Sequence, residues 1–137
     1  MQTQLNGESS SLALYQAWQQ LRKEQAGMRA RDAALALGVS EAELTASSLT
    51  VDSVRLCPDW PVLLPALESL GYVMALTRNE HCVHERKGHY REVTVMPSGL
   101  MGMVVSADID LRLFMAGWDS VFAVEEETPR GTQRSIQ

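Results

Sequence analysis

Residues 71–90 read GYVMALTRNEHCVHERKGHY, and the period of the chain changes inside them. Upstream, apolar residues recur at steps of three to four, the spacing of a helix face. Downstream the pattern shortens to the alternation of strands. Gly71 stops the last helical run. After it come YVMALTRN, HCVHER, YREVTVM, LMGMVVSADI, LRLFM, VFAVEEE and RSIQ, short and rich in β-branched, aromatic or alternating residues. RKGH, PSG and TPRG punctuate them as turns. Helices first and strands afterwards predict an α+β fold, with N-terminal helices followed by a large antiparallel β-sheet.

Working back toward the N-terminus, serines at 9–11 offer cap oxygens to a helix over 12–25, with Leu12, Tyr15, Trp18 and Leu21 or Arg22 on one stripe. Gly27 ends it. ARDAALAL predicts a second helix over 30–37, stopped by Gly38. Ser40 caps a third over 41–48, whose first turn carries Glu41 and Glu43, where the helix dipole favours anions. LTVDSVRLC (49–57) reads as a strand or an extended link. Pro61 and Pro65 confine any following helix to the turns near Pro61 and the run after Pro65. Residues 1–11 are polar and read as frayed, leaving 12–137 as a single domain. At the far end, TPRG leads into a strand that has barely begun at Gln137, which reads as a fragment of something longer.

Composition narrows the function. A net charge of −5 disfavours a broad footprint on nucleic acid or an acidic membrane. Ten of the twelve bases are Arg, a bias compatible with an anionic small ligand but explained first by base composition of the gene. Two cysteines make no disulfide framework, and free thiols suit a reducing cytoplasm. The start MQTQLNGESSS lacks the basic and apolar runs of a signal peptide, and no apolar run reaches the ~20 residues of a membrane span.

All three histidines, His81, His84 and His89, fall within nine residues of one another beside Cys82. HCVH supplies zinc-type ligands, but no C-x-x-C or H-E-x-x-H spacing accompanies it, and strand parity turns His81 and His84 to opposite sides. A Cys82–His84 nucleophile would need an orienting group and an oxyanion hole that cannot be read here. His81 and His89 flank RKG, predicted as a solvated hairpin turn. ARDAALALGVSEAELTASSL resembles a helix-turn-helix, making a DNA-binding regulator through 29–49 the alternative function. Its second helix carries two Glu and no base, which phosphates repel. In SADIDLRLFM an extended chain puts Asp110, Arg112 and Phe114 on one face. Arg112 among apolar neighbours either pairs with Asp110 or is aimed into a pocket; the residues leave both readings open. Seven Met suit a core or a broad apolar ligand surface.

ARDAALALGVSEAEL, TRNEHCVHERKGHY and DIDLRLFMAGWDSVFAVEEETPRGTQRSIQ resemble, in the same order, the bacterial haem-utilisation proteins of the HemS/ChuX type, the haemin-degrading factors. The resemblance covers residues 12–137. It implies cytoplasmic binding of haem in uptake and iron acquisition by Gram-negative bacteria. It also implies degradation of haem, or its transfer to a haem oxygenase, with an inner-membrane importer as a further partner. Longer members look like two tandem α+β repeats, and this chain resembles the first. The resemblance assigns Arg112 to the face of haem opposite an axial histidine supplied by the second repeat, with a catalytic role. It makes His84 a second or alternative iron ligand. Arg78, Arg86 and Arg91 become candidates for the propionates. No nucleic acid and no membrane insertion are expected, and an exposed last strand suits a homodimer.

Overall fold

The computed structural model describes residues 2–137, with side chains from Ser10 onward. Four helices are present: α1 (Gln2–Glu24), α2 (Ala30–Leu37), α3 (Glu41–Ser47) and α4 (Trp60–Ala66). The strands are β1 (Ser53–Arg55), β2 (Tyr72–Arg78), β3 (Val83–His89), β4 (Val93–Val95), β5 (Met101–Val105), β6 (Asp110–Phe114), β7 (Phe122–Thr128) and β8 (Gly131–Ile136). The architecture is α+β and every strand pairing is antiparallel. Hydrogen bonds divide the strands into three ladders, β1-β7-β8, β2-β3 and β4-β5-β6. The sequence reads as one domain over 12–137, yet contacts gather into two compact units, Met1–Cys57 with Ser120–Gln137, and Pro58–Asp119. The cause is the long-range pairing of β1 with β7, Ser53 opposite Val124, which makes 58–119 an insertion between two strands of one ladder.

In the first unit the predicted helices appear, with shifted ends. The serines at 9–11 lie inside α1 rather than capping it. The side chains before Ser10, where most of the expected frayed segment falls, lie outside the described residues. The buried stripe is Leu14, Trp18 and Leu21, not one begun by Leu12, which is 57% exposed. Trp18 packs with Ala33, Ala34 and Leu44, and the two alanines let α2 come close. Gly38 takes the left-handed conformation (φ 70°) that ends a helix cheaply without a Cβ. Ser40 forms a capping box: its Oγ accepts from Glu43 N at 3.1 Å, and Glu43 Oε2 accepts from Ser40 N at 2.8 Å. The Ser40 backbone N–H, and then the Ser40 hydroxyl, which donates to Glu43 Oε2 at 2.9 Å, hold the Glu43 carboxyl below its usual range. Glu43 therefore stabilises above the ordinary carboxylate range near pH 4.5, and that contribution is lost as pH falls through the depressed folded value. Ser40→Ala is expected to cost about 1 kcal/mol in a urea unfolding series at neutral pH. With Leu44 buried and Glu43 committed to the cap, α2–α3 is a packed helical hairpin.

β8, expected to have barely begun, is a full partner of β7 from Ala123↔Ile136 to Thr128↔Gly131. Gly131 (φ 109°) turns the hairpin.

In the second unit Pro61 opens α4 and Pro65 lies inside it, where one helix was expected to break; the chain instead tightens into a 3₁₀ turn, Leu67–Leu70. The core is Ala75, Val104 and Ile109, with Tyr90, Val93, Leu111 and Leu113 around it. Gly102 brings α4 onto β5, since a Cβ there would sit 3.1 Å from Leu64 Cδ1.

Candidate functional site

The second unit carries most of the residues singled out in the sequence, and strand parity decides which of them meet. In the β2–β3 ladder Thr77 lies opposite His84, Ala75 opposite Arg86 and Val73 opposite Gly88, so His84, Arg86 and Gly88 share the face of buried Ala75. Against that face lies the segment 108–111. Between them is a cleft of about 270 Å³ lined by Ala75, His84, Arg86, Asp108, Ile109, Asp110 and Leu111.

Arg86 is held in this cleft by a fork. Its Nε donates to Asp108 O at 3.0 Å and its Nη2 to Asp108 Oδ1 at 2.9 Å. Asp108 lies 22 positions away, and no local spacing announces it. RKG is not the turn that the glycine suggests. It lies in mid-strand, and the hairpin turns at 79–82 instead, where Asn79 Oδ1 accepts from both His81 N and Cys82 N at 2.9 Å. His81 is exposed in that turn. His89 is not a solvated flank: it is half-buried on the other face of the ladder, edge-on to Tyr72 at 5.5 Å.

In the β4-β5-β6 ladder Gly102, Val104, Leu111 and Leu113 face the core. The other face carries Met101, Met103, Val105, Asp110, Arg112 and Phe114, the last 64% exposed. Arg112 Nη1 donates to Asp110 Oδ1 in a very short bond and to Leu111 O at 3.2 Å. The pairing of Arg112 with Asp110, one of the two readings open from sequence, is therefore formed. It is nonetheless half-exposed, 47% and 64% for the two side chains, where ion pairs contribute only about 0–1 kcal/mol. Little opposes handing the guanidinium to another anion. Asp110 both lines the His84 cleft and accepts from Arg112, and so joins the two features.

Arg78 and Arg91 are not brought to this cleft. Arg78 pairs with Val83 on the face opposite His84, and Arg91 lies in the link between β3 and β4. Cys82 is an exposed free thiol. Among the described residues no three His, Cys, Asp or Glu side chains converge to hold a metal ion, and no helix is long and apolar enough to cross a membrane.

Residues 38–137 match the family model of the haemin-degrading HemS.ChuX domain. The chain belongs to this family. It is 44% identical over 126 residues to the hemin transport protein HmuS of Yersinia pestis, covering 91% of this chain and 36% of that protein. Holo-PhuS, a heme-binding protein from Pseudomonas aeruginosa, superposes with a TM-score of 0.90 at 68% identity, over 93% of this chain and 37% of that one. ChuS, an Escherichia coli heme oxygenase, gives 0.77 at 36% identity, over 90% and 36%. The chain thus spans about a third of the length of the relatives it matches. The family resemblance carried by the three motifs stands, as does the α+β fold.

Proposed function

We propose that this chain is a haem-binding module of a cytoplasmic haem-utilisation protein, and that its site is the His84 cleft together with the adjoining Arg112 face. The observation that carries the reading is Asp110, whose one side chain borders the imidazole cleft and holds the guanidinium. The residue types fit a flat, mostly apolar disc with an anionic rim. Met101, Met103, Val105 and Phe114 offer an apolar surface beside a single exposed Arg. The cleft alone falls short of the roughly 300–1,000 Å³ of small-molecule sites, so it takes an edge of the macrocycle rather than the whole. When bound, haem supplies an iron that accepts a neutral imidazole and propionates that accept from guanidinium. His84 presents the imidazole. Arg86, already paired on one edge by Asp108, has a second terminal nitrogen to offer a carboxylate. Arg112 exchanges Asp110 for the ligand and orients what binds against the open face.

Transfer to an oxygenase and oxidative ring opening are both within reach of a parent protein built on this module. An electron donor and dioxygen given to the haem-loaded protein separate them: single-site ring opening with iron release marks an enzyme, whereas bleaching abolished by catalase marks a carrier. The binding claim itself is checked by absorption titration with haemin. His84→Ala is expected to weaken affinity about tenfold, or roughly 1.4 kcal/mol. Unchanged affinity would make His84 structural and remove it from the site.

A further inference from the structure

Gly88 sits in β3 with neighbours on the cleft side that leave no room for a side chain. A Cβ built there lies 2.6 Å from Asp108 Cβ and 3.3 Å from Asp108 Cγ. The atom it would strike is the near end of Asp108, next to its backbone, so no rotamer change relieves the clash. The segment bearing Asp108 is also tied down: Ser106 Oγ donates to His89 O at 3.2 Å, and Ile109 N donates to Ser106 Oγ at 3.1 Å. From this close seat Asp108 receives both arms of the Arg86 fork.

We propose that Gly88 and Asp108 are positioning residues of the cleft. The missing side chain at 88 lets the 106–109 segment lie against β3, and Asp108 then fixes the Arg86 guanidinium beside His84. The functional half of this proposal rests on the haem reading above; the geometric half does not. An alanine methyl at 88 forces Asp108 away by about 1 Å to reach ordinary carbon–carbon contact, which is enough to open a fork of 2.9–3.0 Å bonds. Such a fork orients a guanidinium in a way a lysine could not reproduce.

Two measurements on the full chain test it. The Arg86 Nη2–H resonance, whose acceptor is Asp108 Oδ1, is expected to exchange with water more slowly than the terminal guanidinium protons of the exposed Arg130. That protection is expected to vanish in Gly88→Ala and Asp108→Ala but persist in Asp108→Asn, which keeps the Oδ1 acceptor. Haemin affinity is expected to fall about fivefold in Gly88→Ala, with no further loss when Gly88→Ala is added to Arg86→Ala, because the two act through one group. Should Gly88→Ala fail to fold, Asp108→Ala removes the Oδ1 arm of the fork without any clash. Unaltered Arg86 exchange in either variant, or additive losses in the double variant, overturns the proposal. A native chain that binds no haemin while its Arg86 proton stays protected overturns the haem reading and leaves the positioning role intact.

Discussion

Arg112→Ala is expected to weaken haemin binding about tenfold and to shift the Soret band of whatever complex remains. His81→Ala is expected to do neither. The asymmetry follows from where the two side chains stand. Arg112 is the one cation among Met101, Met103, Val105 and Phe114 on the open face of its ladder, and its bond to Asp110 is exposed and cheap to exchange. His81 stands in the 79–82 turn, outside β3, and does not line the cleft. A titration of both variants beside the native chain decides it, and equal losses from both would undo the assignment. Raised salt is expected to narrow the difference between native and Arg112→Ala protein, since the charge is half-exposed and screened.

Ile109→Ala is expected to destabilise the protein by about 2–4 kcal/mol, read as a shifted urea midpoint. Ile109 is 1% exposed and packs with Ala75 and Val104, so truncation leaves a void that the ladders on either side close only in part. It also lines the cleft, so haemin affinity is expected to fall in the same variant. A loss below about 1 kcal/mol would mean that the second unit does not depend on this core.

Much of the fold was legible locally because the deciding interactions are local. Gly38 and Ser40 mark helix ends through bonds that span three to five residues, and the change of period at Gly71 needs no tertiary information. The departures share a cause. Gly88 reads as a turn because glycine before a histidine and after two bases is the usual turn composition. Its actual reason is Asp108, twenty positions on. Leu12 fits the amphipathic stripe as well as Leu14 does, and only the position of α2 chooses between them. Arg78 and Arg86 looked alike as propionate partners, yet one residue of strand register sends them to opposite faces.

The sequence by itself determined the order of elements, the Gly38 stop of α2 and the Ser40 cap of α3, the α+β class and the family, since each rests on spacing or on motifs written along the chain. Tertiary structure alone decided which charges share a cleft, that Asp108 grips Arg86, and that residues 58–119 form a unit of their own. Those depend on how strands distant in sequence come into register, and pairing energy is set by neighbours that no short window contains.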